Sequence, residues 1–428
     1  MVVQPRVRKK QSANAGWGTF KHFGHLRPGA SPPGIGSSNA PMLRARWIVL
    51  ALLATASCDG CRSEGTRSPA CTWVPAGFGP AGSTRLRVEV VASGLEVPWG
   101  IAFVPGGDWL VTERPGRVRL VHQGQLQPDP VVQVQVAGGD EGGVLGIALD
   151  PAFAANRYFF IYATVPGPSG AVNRVLRYLL SEDHRSASLD RVVIDGIEAA
   201  KFHDGGRLRI GPDGMLYVGT GDARNPSSAQ KPASLNGKIL RYRPDGSVPP
   251  DNPRAGSPVY ISGIRNTEGF DWLDTGAMVI VDHGPSGELG RRGQDEVNVA
   301  RAGDNLGWPQ VSGCDGARGK VSPLLSWKEA VPPGGAAVYR GSSLPGWSGN
   351  LVIGTLGSKH LHRVVFANNA ARVLRHETYL QGDPPAGYGR LREAVMGPDQ
   401  QLYVTTSNCD GRGLCPSDKD KILRIGSR

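Results

Sequence analysis

The ten residues Gly211-Pro212-Asp213-Gly214-Met215-Leu216-Tyr217-Val218-Gly219-Thr220 join a Gly/Pro/Asp turn to a short apolar strand that ends in small or hydroxylated residues. The same grammar returns in Gly397-Pro398-Asp399-Gln400-Gln401-Leu402-Tyr403-Val404-Thr405-Thr406, and in looser form at 104–112, 156–164, 274–281 and 348–355. Turn residues in front of a β-branched and aromatic run mark a hairpin. Several units lead into an alternating strand that carries a basic residue, at 116–121, 174–178, 238–242 and 421–425. Aligned on Leu110, Phe159, Leu216, Met278, Leu351 and Leu402, the units recur every 49 to 73 residues, the length of a four-stranded blade with variable loops. Six such units predict an all-β fold, a six-bladed β-propeller of four-stranded antiparallel blades over 85–428. The strand from Arg85 to Ala92 would pair with the C-terminal blade and close the ring. A two-sheet sandwich array is the competing architecture, and a repeat this regular argues against it.

Composition points the same way. Of 428 residues, 60 are Gly and 34 Pro, so turns are frequent, while 39% hydrophobic residues suffice for a sizeable core. The net charge of +11 is concentrated at one end: residues 1–57 hold eight basic side chains and no Asp or Glu, leaving 40 basic against 37 acidic residues in the rest. With that balance, and with no helix-turn-helix pattern, zinc-finger spacing or RNP-like aromatic motif, no nucleic-acid partner is expected.

Arg44 and Arg46 precede the apolar run Trp47 to Ala56, too short to span a bilayer and ending in small residues, as a secretory signal does. The expected organisation is an upstream extension over 1–41, a signal region over 42–57 and a linker over 58–84. Export follows, to the periplasm or as a membrane-anchored lipoprotein. Cleavage falls after Ala54-Thr55-Ala56 or just before Cys58, which in the second case would take the lipid anchor. Cys409 and Cys415 flank a short Gly-rich loop and are expected to pair in an oxidising compartment, with Cys61 and Cys71 as the matching pair near the N-terminus. No set of four ligands at zinc spacing accompanies them.

In a propeller, function lives in the loops at the mouth of the central channel. Five segments carry more chemistry than the bare repeat needs. In Phe202-His203-Asp204-Gly205-Gly206-Arg207, a His held by a Gly-rich loop can serve as general base, with Asp222 to orient its ring. An exposed loop His beside a turn Asp is the plainer alternative. Arg265 and Asn266, side by side, suit a carboxylate and a carbonyl on one planar ligand, or else Arg265 makes a surface ion pair. The carbonyls of Gly284 and Pro285 could serve a calcium ion, or simply form a turn. Glu141 opens the tight run Glu141-Gly142-Gly143-Val144-Leu145-Gly146 ahead of a buried strand. Alternation in Arg390-Leu391-Arg392-Glu393 puts both arginines on one strand face, which calls for an anion opposite them or for solvent.

Taken in order, these segments resemble the glucose/sorbosone dehydrogenase family, soluble pyrroloquinoline quinone (PQQ)-dependent aldose dehydrogenases. The resemblance runs from about Gly94 to Ile425 and includes Leu235 to Tyr242 and Asp295 to Trp308. It implies that His203 is the base taking the proton of the anomeric hydroxyl and that Asp222 orients it. It also implies that Glu141, Arg265, Asn266, Arg390 and Arg392 surround PQQ, and that Gly284 and Pro285 give carbonyl ligands to calcium. The substrate would be a sugar or small polyol, and the electron acceptor a cytochrome or quinone. Two departures stand out. Gly357 occupies the position of an expected cofactor-binding Lys or Arg, with Lys359 two residues on and on the same side of a strand as the candidate replacement. Phe202 stands where some sugar-oxidising members carry Asp. A non-catalytic propeller that binds glycan or protein at the cell surface is the second expectation. A calcium-dependent lactonase or hydrolase is the third, and lacks the converging carboxylates it would need.

Overall fold

The structure is a computed structural model that describes residues 70–137, 139–367 and 370–427. The proposed start at Met42, the signal region, Cys58 and Cys61 lie outside the described residues.

The repeating turn explains itself chemically. Gly214 N–H donates to the Gly211 carbonyl at 2.9 Å and Gly211 N–H to the Met215 carbonyl at 2.9 Å, closing the hairpin. Asp213 then uses one oxygen for Met215 N–H at 3.2 Å and the other for the Tyr217 hydroxyl at 3.0 Å. Asp399, Gln401 and Tyr403 repeat this in the last blade at 3.1 and 2.8 Å. The Asp of each turn therefore ties it to the strand that follows.

Six antiparallel sheets form the ring. Their inner strands are Pro98–Phe103, Val144–Leu149, Leu208–Ile210, Gly269–Trp272, Pro333–Val338 and Leu391–Met396, which define blades 1 to 6. The six aligned apolar residues all fall on the second strand of their blade, and each is at most 1% exposed. Six apolar clusters lie among the described residues, one at each interface between adjacent blades. Leu110 with Phe159 joins blades 1 and 2, and Ile422 with Val111 joins blades 6 and 1. Fully burying each such side chain stabilises the fold by ~1.5–3 kcal/mol, so the ring is held around its whole circumference. Leu86–Leu95 pairs antiparallel with Asp420–Ser427, Val88 opposite Ile425, so chain start and chain end share blade 6 and seal it.

Two expectations are corrected here. Cys71 pairs with Cys314, 243 residues away, and not with Cys61. The reason is that Thr72–Val74, within the stretch expected to be linker, adds to blade 4 as a parallel fifth strand with Val74 opposite Trp327. Pairing of Cys409 with Cys415 is as expected.

Candidate active site

His203 lies on the loop between the outer strand of blade 2, Ala187–Glu198, and the inner strand of blade 3. Its backbone is left-handed, φ 67°, an uncommon state for a residue other than glycine. Two contacts hold it there. Its N–H donates to Glu141 Oε2 at 2.8 Å, and its Nδ1 stands 2.7 Å from Asp222 Oδ1. Asp222 is fully buried, and its second oxygen accepts the indole N–H of Trp308 at 2.8 Å. A carboxylate acceptor requires the proton on Nδ1, which leaves the lone pair on Nε2.

His203 lines a cavity of about 240 Å³. Glu141, Arg265, Asn266, Gly284, Pro285, Arg390 and Arg392 line it as well, although they come from the connection of blades 1 and 2, the connection of blades 3 and 4, a loop of blade 4 and the start of blade 6. Asn266 reaches back to the His loop, accepting the Gly205 N–H at 2.9 Å, and Asp282 fixes the backbone N–H groups of Arg265 and Asn266 at 2.9 and 2.7 Å. At Gly284 a Cβ would stand 2.0 Å from the Gly293 carbonyl, so only glycine lets the two backbones meet at the cavity wall.

The charge balance of the wall was not legible in the sequence. Arg265 meets Glu288 at 2.9 Å, Arg392 meets Glu268 at 2.5 Å, and Asp410 holds Arg390 at 2.7 Å and Arg392 at 3.7 Å. Arg412 pairs with Glu141 at 3.1 Å and also lines the cavity. Burial alone would raise the carboxyl of Glu288, but the charge of Arg265 and backbone N–H groups outweigh it and hold the group down at about 2. Glu141 is likewise held low against its burial, chiefly by the His203 N–H. Even so, Arg265 Nε and His283 Nε2 are buried and have no hydrogen-bond partner among the described residues. A buried guanidinium N–H left unsatisfied, as at Arg265, is costly, and a ligand with acceptor oxygens would supply what is missing. The arginines of the wall therefore fit a ligand that carries carboxylates.

Lys359 does not join them. The strand of blade 5 ends at Thr355 and a turn follows, so the two-residue period used to place Lys359 beside Gly357 does not apply. Its backbone is left-handed and its ammonium sits 2.6 Å from Asp383, while Gly357 itself lines the cavity. The calcium expectation meets a sparse donor set: among the described residues no group of three or more His, Cys, Asp or Glu could hold a metal. Gly284 and Pro285, whose carbonyls are hard donors of the kind calcium accepts, line the cavity.

The profile of glucose and sorbosone dehydrogenases matches residues 95–416. The chain belongs to the glucose/sorbosone dehydrogenase family. An aldose sugar dehydrogenase of Escherichia coli (strain K12) is 30% identical over 79% of this chain and 95% of its own length. An uncharacterized Synechocystis protein is 33% identical over 78% of this chain and 87% of its own length. The PQQ-bound form of an aldose sugar dehydrogenase from Streptomyces coelicolor superposes with a TM-score of 0.71 at 33% identity, covering 82% of this chain and all of that one.

Next to His203 this glucose/sorbosone dehydrogenase carries an aromatic ring among cations. Phe202 is half-buried, with Lys201, Arg412 and Arg224 cations at 5.4, 5.6 and 5.8 Å from its ring centre. Trp308, Glu268, Glu288, Asp410 and Arg412 all serve the site without having been singled out from the sequence. Asp410 and Arg412 lie between the two cysteines expected to pair, and Trp308 ends a stretch that resembles the family, whereas Glu268 and Glu288 gave no signal.

Proposed function

We propose that this chain is an exported, PQQ- and calcium-dependent oxidoreductase that oxidises the anomeric hydroxyl of an aldose or related sugar. The observation that carries this reading is His203, held by Asp222 at 2.7 Å, lining the same small cavity as Arg265, Arg390 and Arg392. PQQ, when bound, supplies the acceptor for the hydride that leaves the anomeric carbon. His203 Nε2 takes the hydroxyl proton, and Asp222 stabilises the resulting imidazolium, itself steadied by Trp308. Arg265, Arg390, Arg392 and Arg412 bind and orient cofactor carboxylates, while Asn266 contributes an amide. Gly284 and Pro285 would hold calcium through their carbonyls, and the ion would supply Lewis acidity to the site.

The two disulfides among the described residues suit an oxidising compartment and so support export, with Cys58 as a lipid-anchor candidate. A cytochrome or quinone would take the electrons onward. Calorimetric titration with PQQ, with and without calcium, followed by dye reduction over a panel of aldoses, tests the reading. Tight, calcium-dependent binding and reduction of the dye support it, and absence of binding at any calcium concentration overturns it.

One observation favours a non-catalytic propeller that binds glycan or protein. Gly357 leaves the expected cofactor cation missing and Lys359 is committed to Asp383. In that case PQQ binding fails while the fold is intact.

A further inference from the structure

The loop from Ser407 to Lys419 joins the second and third strands of blade 6, Leu402–Thr406 and Asp420–Ser427, and carries no helix or strand. Loops of this length without secondary structure are uncommon in a compact domain unless they serve a function. This one is tied at its neck. Cys409 and Cys415 are bonded, with Cα atoms 4.4 Å apart, and Asp420 accepts the N–H groups of Asn408 and Cys409 at 2.6 and 3.2 Å.

Inside the tie the loop faces two ways. Leu414 is 69% exposed, whereas the Asp410 side chain is 1% exposed. Asp410 Oδ2 accepts Arg390 Nε at 2.9 Å and Ser407 Oγ at 3.3 Å, and stands 3.7 Å from the Arg392 guanidinium. Its Oδ1 accepts the Arg412 N–H at 2.9 Å, and its carbonyl accepts Arg114 at 3.3 Å. Arg412 donates to Glu141 Oε1 at 3.1 Å, and the other Glu141 oxygen accepts the His203 N–H at 2.8 Å. A Cβ on Gly413 would stand 2.8 Å from Arg390 Cδ, so the loop backbone lies directly on that arginine. A seven-residue ring thus touches Arg390 and Arg392 and, through Glu141, the backbone of the His.

We infer that the Cys409–Cys415 loop is a covalent clasp that presets the anion-binding wall, with Asp410 as a positioning residue for Arg390 and Arg392. The inference rests on the proposed PQQ site. A short disulfide ring removes open loop conformations, so the arginines need not be ordered when the tricarboxylate arrives, and binding is tighter for that. A dithiol reductant undoes the clasp: the Cys409–Cys415 bond takes up two electrons and two protons while the reductant closes its own disulfide.

The test compares Cys409→Ser/Cys415→Ser with Cys71→Ser/Cys314→Ser and with Asp410→Asn, each first checked for a folded circular dichroism spectrum and melt. PQQ affinity, measured by calorimetry at fixed calcium, should fall roughly tenfold or more in the first and third and stay near that of the unmodified protein in the second. At saturating PQQ the sugar KM should be unchanged. Amide hydrogen exchange on the protein alone should quicken at Asp410–Gly413, at Arg390 and at His203 in the Cys409/Cys415 variant. Equal PQQ affinity, or unchanged exchange at Arg390 and His203, overturns the clasp. If the unmodified protein binds no PQQ, the functional reading falls, and hydrogen exchange alone still decides whether the loop holds the wall.

Discussion

Asp222 divides its two carboxylate oxygens between His203 Nδ1 at 2.7 Å and Trp308 Nε1 at 2.8 Å, so the imidazole is held from behind by an anion that is itself anchored. Asp222→Asn removes the charge that stabilises the imidazolium and allows the wrong tautomer. Turnover should fall ~10²- to 10⁴-fold, with PQQ affinity little changed. Steady-state rates at saturating PQQ, alongside a binding isotherm, check the split. Trp308→Phe should give a smaller loss in the same direction.

Arg207, just before the inner strand of blade 3, and Glu393, on the inner strand of blade 6, form an ion pair with each side chain only 1% exposed, and Arg207 also lies over the Trp99 ring at 4.3 Å. Burial pulls the Arg207 guanidinium down to about 10 despite Glu393. Glu393→Ala leaves that cation buried without its partner and should cost ~3–5 kcal/mol. Replacing both residues by apolar ones of similar volume should cost much less. Denaturant midpoints of the three proteins decide it, and equal losses for single and double variants would contradict the pairing.

Blade 5 carries a buried run of imidazoles that sets an acid limit. His360 Nδ1 lies 3.1 Å from the Ser358 carbonyl and its Nε2 lies 3.0 Å from His362 Nδ1. The His362 ring stacks on His376 with centroids 5.3 Å apart. Burial lowers all three, His360 from 6.5 to about 4. An unfolded chain takes up these protons near pH 6.5 and the folded one only near pH 4 for His360. The stabilisation is complete above pH 6.5 and is lost as the pH falls toward 4. His360 alone accounts for ~3 kcal/mol of that slope. Urea midpoints between pH 7 and 4 should drop for the unmodified protein and drop less steeply for His362→Leu. Parallel slopes would sink the assignment.

Gly357 and Lys359 offer a gain-of-function test. A Cβ at Gly357 meets only Pro332, at 3.1 Å, and the residue faces the cavity. Gly357→Lys should therefore add a cation to the wall and tighten PQQ binding. Lys359→Ala should leave it unchanged because the ammonium already belongs to Asp383. Weaker binding in Lys359→Ala would show that the side chain swings in when the cofactor is present.

The propeller was legible because its unit is local: a turn Asp bonded to a Tyr four residues later in blades 3 and 6, and a strand that carries near its start an apolar residue buried in every blade. The arginines and the His were legible as costly residues beside tight turns. What escaped was long-range. The Cys71–Cys314 bond depends on a parallel strand added from the N-terminal side, and the carboxylates that balance the wall, Glu268, Glu288 and Asp410, come from separate elements with no shared motif. Lys359 was misplaced because period-two reasoning was carried past the end of a strand.

The central claim is that His203 Nε2 takes the proton as sugar is oxidised. Anaerobic mixing of PQQ-loaded protein with glucose, followed at the absorbance of the oxidised cofactor, tests it most directly. The account predicts that His203→Ala binds PQQ as the unmodified protein does and reduces it at least ~10²-fold more slowly. Reduction at the same rate in both proteins would contradict it.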